Sequence, residues 1–223
     1  MLVLSQEMPF MDRSQNCPGD LPFIFFDLGK VLLLFDHQQA ARQMAQLCDL
    51  DPQAVTDVVF GSTLQLEYEG GAISSKEFYK QFCNQLKVQP DFRKLMEAAS
   101  SIFQPAAEVV DFLQRLKAKG YALGLLSNTC AAHWQWITTQ EFVWLKDCFE
   151  IVVLSFQVQC LKPNPEIYRI AAEQTQRACQ DLLLIDDLPE NVKAARDAGW
   201  DAIEFVNRED LEDQFEMRSL SSH

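Results

Sequence analysis

Three short apolar runs, each followed by a polar residue, constrain the fold more than any other feature of the 223-residue sequence. Each run is continuous rather than alternating, which is typical of a strand buried on both faces of a parallel sheet. The runs span residues 23–26, 121–126 and 182–185, and they end at Asp27, Ser127 and Asp186-Asp187. Two further candidate strands span residues 151–154 and 202–206.

Helical segments separate these runs from about Pro105 onward. Pro105 and Gly120 bracket one segment with apolar residues on one face, and Pro189 and Gly199 bracket another. Proline near the start and glycine just past the end are the usual signals of helix boundaries. Alternation of strand and helix predicts βαβ units, and hence an α/β fold with a doubly wound, Rossmann-like parallel sheet.

The stretch between the first strand and Pro105 has a different pattern. Asp51-Pro52 and Ser74-x-x-Glu77 are signals of helix starts, and no run in this stretch is as strand-like as those elsewhere. We therefore predict a discontinuous core domain of residues 20–36 and 104–223. Residues 37–103 are predicted to form an inserted all-α domain, called the cap below.

The sequence carries a formal net charge of −13, from 32 acidic and 19 basic residues. Such a charge repels nucleic acids and anionic membranes, so we expect neither as a partner. No apolar stretch approaches the ~20 residues of a membrane span, and the amino-terminal segment does not have the pattern of a secretory signal. Seven scattered cysteines without a C-x-x-C pair are typical of reduced thiols, which predicts a cytoplasmic protein.

Polar residues at the ends of parallel strands gather at one edge of the sheet. Asp27, Ser127, Asp186 and Asp187 are therefore expected in one crevice. Crowded carboxylates require a cation, and ligation by oxygen alone favours Mg²⁺. Lys162 precedes a predicted helix start and is suited to bind phosphate. This combination predicts transfer of a phosphoryl group to Asp27 and then to water.

Four motifs, in order, resemble those of the haloacid dehalogenase superfamily. They are Phe-Asp-Leu-Gly-Lys-Val (26–31), Leu-Ser-Asn-Thr (126–129), Lys-Pro (162–163) and Ile-Asp-Asp (185–187), the last followed by Pro-Glu-Asn (189–191). The resemblance spans roughly residues 23–205. It implies a doubly wound α/β core, a helical cap at the position of residues 37–103, and hydrolysis of a small phosphorylated metabolite.

The resemblance also implies roles for the residues that bind phosphate. Asp27 would be the nucleophile, and Lys162 would be both a catalytic and a phosphate-binding residue. Ser127 would bind the phosphate, together with backbone N–H groups near Leu28 and Asn128.

For the metal, the resemblance implies that Mg²⁺ binds the Asp27 carboxylate, the Gly29 carbonyl oxygen and Asp187. Asp186 would bind the ion directly or lie just behind its ligands. Asn191 would support the site from the following helix.

Gly29 is the main departure from the superfamily's phosphatases, which usually carry a second Asp at this position to protonate the leaving group. The D-L-G-x-V form resembles a branch that includes sugar-phosphate phosphatases such as α-glucose-1-phosphate phosphatase. A sugar phosphate is a chemically coherent substrate class, because an anomeric phosphate is a good leaving group and needs less protonation. Protonation of the leaving group by the second Asp is commonly worth ~10²–10⁴ in rate, so its absence at Gly29 is a serious departure. Asp36 and His37 are the nearest substitutes in sequence, and Lys30 is a further departure.

Three other functions compete with a phosphatase. A 2-haloacid dehalogenase also lacks the second Asp but needs no metal, so the retained Asp186-Asp187 pair argues against it. A catalytically impaired phosphate-binding module is suggested by Gly29. A phosphotransferase or phosphomutase is the third alternative.

Several other residues are assigned no role in chemistry. His133 is expected at the surface or at a helix cap, and Trp134, Trp136 and Trp144 are expected to serve packing. Residues 209–216 are expected to form a solvated helix or a frayed tail.

Overall fold

The computed structural model describes residues 21–140 and 142–220. Within these ranges the strands are β1 (Phe23–Phe26), β2 (Leu33–Leu34), β3 (Gln104–Pro105), β4 (Leu123–Ser127), β5 (Ile151–Leu154), β6 (Leu182–Asp186) and β7 (Asp201–Glu204). The helices are α1 (His37–Cys48), α2 (Pro52–Val59), α3 (Leu64–Glu69), α4 (Ser75–Leu86), α5 (Phe92–Ser100), α6 (Ala107–Ala118), α7 (Ala131–Thr139), α8 (Val143–Asp147), α9 (Ser155–Val158), α10 (Pro165–Thr175), α11 (Pro189–Asp197) and α12 (Arg208–Met217). The prediction for the amino-terminal segment, and that for one of the seven cysteines, Cys17, lie outside the described residues.

Five strands form one parallel sheet in the order β5-β4-β1-β6-β7. The three strongest apolar runs became β1, β4 and β6, which confirms the predicted doubly wound α/β class. The fifth candidate strand was placed too late, because β7 ends at Glu204, the partner of the last β6 residue, Asp186. The strand order changes direction between β1 and β6, and ligands of such sheets bind near that point.

Side chains of β1 alternate between two hydrophobic layers, one on each face of the sheet. Ile24 and Phe26 pack in a cluster with α6 and α12. Phe23 and Phe25 pack in another with α10 and α11. Burial on both faces explains why the run is continuously apolar in sequence.

Five helices, α1–α5, occupy residues 37–100 and share a hydrophobic cluster of their own. Ser74 and Glu77 form both hydrogen bonds of the capping box at the start of α4, and Asp51 caps α2. Cys130 and Ala132, at the start of α7 in the core, also belong to this cluster. The two parts therefore pack directly against each other.

Strands β2 and β3 form a short antiparallel ribbon at the two places where the chain passes between the core and the cap. Leu33 pairs with Pro105 and Leu34 with Gln104. The ribbon lies close to the predicted domain boundaries at 36/37 and 103/104. The division of the chain into two domains at those positions remains a prediction.

Residues 209–216 are part of helix α12, so the expectation of a helix was right and that of a frayed tail was wrong, although one face of the helix is buried rather than solvated. Leu211 and Phe215 are fully buried, and Phe215 packs edge-on against Phe112 of α6. Trp144 packs in the same core cluster, as expected.

In the described part of the chain, no helix has the length and apolar character needed to cross a membrane. All six cysteines of that part are free thiols.

Candidate active site

A buried lysine joins two carboxylates at the carboxyl ends of β1 and β6. Lys162 Nζ lies 2.8 Å from Asp27 Oδ1 and 2.6 Å from Asp186 Oδ2, and it also donates to the Leu126 carbonyl oxygen at 2.9 Å. Burial alone would lower the pKa of Lys162, but Asp27 and Asp186 together raise it above its ordinary value. The structure thus brings together residues that are 135 positions apart in sequence.

Asp186 is completely buried and uses both of its oxygens within the protein. Its Oδ2 accepts a hydrogen bond from Lys162 Nζ. Its Oδ1 accepts from the Leu188 backbone N–H at 3.0 Å and from Asn191 Nδ2 at 2.9 Å. Asn191 therefore orients Asp186, which in turn orients Lys162. Asp187, the next residue, is only partly buried.

Asn128 holds the backbone of Lys162 through two reciprocal hydrogen bonds. Its Nδ2 donates to the Lys162 carbonyl oxygen at 2.9 Å, and its Oδ1 accepts from the Lys162 N–H at 2.8 Å. The side chain of Asn128 is therefore committed to positioning Lys162. Its backbone N–H remains the group predicted to bind phosphate.

The loop after β4 is anchored by Ser155, the first residue of α9. Ser155 Oγ accepts from the Thr129 N–H at 2.9 Å and lies 3.0 Å from the Thr129 carbonyl oxygen. Ser127 is buried at the end of β4, and among the residues that the structure describes its hydroxyl makes only a long contact of 3.4 Å, to the Asn128 carbonyl oxygen. A hydroxyl with so weak a partner can rotate toward a ligand.

Asp27, Asp186 and Asp187 each offer a carboxylate oxygen within 4.8 Å of the others. Burial raises the pKa of Asp27 to about 7, although Lys162 and the Leu28 backbone N–H oppose this rise. Burial and the charge of Asp186 raise the pKa of Asp187. Both carboxyl groups would thus be more easily ionised beside a further positive charge.

A side chain at Gly29 would lie against the aromatic ring of Phe35, which would have to shift to accommodate it. A Cβ at Gly29 would come within 2.8 Å of Phe35 Cε1. The next residue, Lys30, is exposed, and its charge acts on Asp187 and His37. The packing of Phe35 against Gly29 thus agrees with the absence of a second Asp at this position.

Asp36 and His37, the two groups that the sequence suggested as substitutes for the second Asp, lie in different surroundings. Asp36 is exposed; it accepts from the Gln38 N–H at 2.8 Å and pairs with Arg42. His37 stacks on Phe60 at 4.5 Å between ring centroids and lines a cavity beside Gly29. Of the two, only His37 borders the site.

The cavity beside Gly29, called the site cavity below, has a volume of about 40 Å³. It is lined by core and cap residues together: Leu28, Gly29, Phe35, His37, Glu69, Phe103, Ser127, Asn128, Thr129, His133 and Ile137. His133 is buried here, so its expected surface position was wrong, and burial lowers its pKa to about 4. Sequence reasoning did not single out Glu69, because nothing local predicts that α3 meets the β4 loop.

A larger groove of about 530 Å³ lies elsewhere, between α4, α5 and α7. None of the carboxylates or phosphate-binding residues predicted from sequence lines it. The site cavity, by contrast, is lined by four of the residues predicted to bind phosphate or metal, although not by Asp27 or Lys162 themselves: Leu28, Gly29, Ser127 and Asn128. We therefore place the candidate active site there.

The chain belongs to the family of haloacid dehalogenase-like hydrolases, whose sequence model matches residues 66–205. It is 26% identical to D-ribitol-5-phosphate phosphatase of Bacteroides thetaiotaomicron, over 84% of this chain and 93% of that protein. It is 27% identical to a pyrimidine 5′-nucleotidase of Escherichia coli, over 76% of this chain and 78% of that protein.

A solved structure of a HAD family enzyme from Bacteroides thetaiotaomicron has the same fold. The two chains superpose with a TM-score of 0.76 at 25% identity, over 87% of this chain and 98% of that chain. A complex of that enzyme with magnesium and inorganic phosphate gives a TM-score of 0.74 at 24% identity, over 82% of this chain and 93% of that chain.

Proposed function

We propose that this protein is a Mg²⁺-dependent phosphatase that hydrolyses small phosphomonoesters through a phosphoryl group carried on Asp27. The observation that carries the proposal is the position of Lys162 Nζ, bonded to both Asp27 and Asp186 within the buried end of the sheet. A lysine held there offers a positive charge to a phosphoryl group next to a carboxylate nucleophile. Phosphatases among the relatives support the same reaction class.

The oxygen donors fit a magnesium ion. Asp27, Asp187 and the Gly29 carbonyl oxygen would bind it, since hard oxygen ligands suit this ion. Asp186, whose oxygens are already used by Lys162, Leu188 and Asn191, would lie behind these ligands. When bound, the ion would offset the repulsion between the Asp27 carboxylate and the phosphate.

The reaction proposed here has two chemical steps, transfer of the phosphoryl group to Asp27 and its hydrolysis by water. An Asp27 oxygen attacks phosphorus, the bond to the ester oxygen breaks, and water then attacks the aspartyl phosphate and restores the carboxylate. The Ser127 hydroxyl and the backbone N–H groups of Leu28 and Asn128 would hold the phosphoryl oxygens. Lys162, whose three N–H donors already serve Asp27, Asp186 and the Leu126 carbonyl oxygen, would attract these oxygens by its positive charge. Asn128 keeps Lys162 in place for both steps.

The substrate is proposed to be a small phosphorylated metabolite, with sugar phosphates as the favoured class. A cavity of about 40 Å³ holds little more than one water molecule. A substrate must therefore enter when the cap moves away from the core, and the closed cap would then exclude water. A sugar-phosphate-type substrate agrees with the activity of the ribitol phosphate relative.

The proposal is tested by phosphate release from a panel of sugar phosphates, nucleotides and aryl phosphates, with Mg²⁺ and with a chelator. We expect turnover that requires Mg²⁺ and is abolished in Asp27→Asn. Asp36→Asn is a suitable control, because Asp36 is an exposed helix cap. Activity that survives Asp27→Asn or chelation would overturn the mechanism, and halide release from a 2-haloacid would identify a dehalogenase instead.

A further inference from the structure

Cleavage of an unactivated phosphate ester leaves an alkoxide, which needs a proton. Gly29 has no side chain to supply one, and Phe35 fills the adjacent space. A positioned acid commonly contributes ~10²–10⁴ in rate. A carboxyl group from elsewhere in the protein could take over this task if it borders the site cavity.

Glu69 is the carboxyl-bearing residue that lines the site cavity. It is the last residue of α3, in the cap, and it borders the same space as Gly29, Ser127 and Thr129. Gln65, one turn earlier, donates from Nε2 to Glu69 Oε1 at 2.7 Å. That bond fixes one oxygen as an acceptor, so the proton of the neutral acid belongs on the other oxygen, Oε2.

Hydrogen bonds to the core hold this end of α3 beside the phosphate-binding loop. Ser155 Oγ donates to the Glu69 carbonyl oxygen at 2.6 Å, and the same hydroxyl accepts from the Thr129 N–H. The preceding residue, Tyr68, accepts the Ala132 N–H at its hydroxyl at 3.0 Å. Glu69 therefore keeps a defined position relative to Ser127 and Thr129 when the cap is closed.

We propose that Glu69 is the general acid and base of this enzyme, in place of the Asp that is absent at Gly29. The proposal rests on the phosphatase function proposed above. It assigns the leaving-group proton to a residue of the cap, so that acid catalysis becomes available only when the cap is closed on the core.

The proton balance is complete without a further reactant. As Asp27 attacks phosphorus, the electron pair of the breaking ester bond goes to the leaving oxygen, which takes the proton from Glu69. The alcohol departs and leaves Glu69 as a carboxylate. Glu69 then removes a proton from the attacking water as the bond between phosphorus and Asp27 breaks, which restores both carboxyl groups to their starting states.

The surroundings of Glu69 keep it protonated more readily than a surface glutamate. Burial raises the pKa of Glu69, while the Gln65 amide opposes the rise. The other titratable groups nearby are Cys130, whose thiolate the charge of Glu69 disfavours, and the two imidazoles of the cavity, His37 and His133. Burial lowers the pKa of both imidazoles, so neither is well suited to carry the transferable proton.

Leaving-group dependence separates acid catalysis from a structural role. Glu69→Gln should lower kcat/KM for alkyl phosphates such as glycerol or sugar phosphates by ~10²–10⁴-fold. The same variant should lose no more than a few-fold on p-nitrophenyl phosphate, whose leaving group departs without protonation. Glu67→Gln on the same helix, where Glu67 pairs with Thr63 near solvent, should leave both activities unchanged.

Equal losses of Glu69→Gln on both substrate types, or no loss on either, would overturn the role of Glu69. Glu69→Asp provides the same comparison if the Gln variant does not fold, and its loss should again be larger for alkyl phosphates. The underlying function is examined separately by Asp27→Asn, which should inactivate the enzyme toward every ester. If the wild-type enzyme hydrolyses no ester, both proposals are overturned, whereas a uniform Glu69 effect overturns only the second.

Discussion

Asn128 and Lys162 are joined by two hydrogen bonds of 2.9 and 2.8 Å between the Asn128 amide and the Lys162 backbone. The backbone of Lys162 is thereby held by Asn128, which directly follows β4. Its side chain is held by Asp27 and Asp186. The charge that would meet the phosphoryl group is therefore preorganised, because neither end of the residue is free to move.

Asn128→Ala should weaken catalysis without removing any group that contacts the reacting atoms. Displacement of a positioned group by about 1 Å can cost on the order of 10²-fold in rate, so we expect a loss of that order in kcat/KM. Asn128→Asp keeps the acceptor for the Lys162 N–H but sets a carboxylate oxygen against the Lys162 carbonyl oxygen, so it should not recover the activity. Steady-state kinetics on one substrate check this, and equal activity of wild type and Asn128→Ala would contradict it.

Lys162→Met should destabilise the fold as well as abolish activity. It leaves Asp27 and Asp186 buried without their cation, and breaking a buried ion pair typically costs about 3–5 kcal/mol. Urea denaturation in the presence of a chelator measures the free energy of unfolding. Adding Asp27→Asn and Asp186→Asn to Lys162→Met should recover part of the loss, whereas strictly additive losses would contradict the coupling.

Gly29→Ala should be destabilising because of Phe35. The new Cβ would lie 2.8 Å from Phe35 Cε1, and overpacking of this kind costs about 1–3 kcal/mol. In a Phe35→Leu background the cost should shrink, which a double-mutant cycle of unfolding free energies detects. The same cost in both backgrounds would show that Phe35 is not the obstacle.

The buried His133 should make the protein less stable in acid. Its pKa is lowered by burial from 6.5 to about 4 in the folded state. As pH falls from about 6.5 to about 4, the unfolded chain takes up the proton first, so the free energy of unfolding decreases across that window. His133→Gln should show a shallower decrease than wild type in urea titrations at several pH values, and parallel curves would exclude this contribution.

Much of the core was predictable because its signals are local. Continuous apolar runs identified β1, β4 and β6, and the geometry of parallel strands predicted that Asp27, Ser127 and Asp186-Asp187 would meet. Helix punctuation at Pro189 and Gly199 likewise placed α11. These features depend on short segments and on one general rule of sheet topology.

The composition of the site cavity was not predictable, because it depends on how the cap packs on the core. Glu69 and His133 border the cavity only because α3 and α7 meet there. The side-chain role of Asn128 was also missed, since the sequence shows no sign that its amide would pair with the backbone of a residue 34 positions away. Long-range contacts of this kind leave no periodic pattern.

The stereochemical course at phosphorus tests the central claim most directly. The measurement uses an ester with an isotopically chiral thiophosphate, hydrolysed in isotopically labelled water, followed by determination of the configuration of the released thiophosphate. Transfer to Asp27 and then to water comprises two in-line displacements, each of which inverts phosphorus, so the account predicts net retention. Net inversion would show direct attack by water on the substrate and would contradict an aspartyl-phosphate intermediate on Asp27.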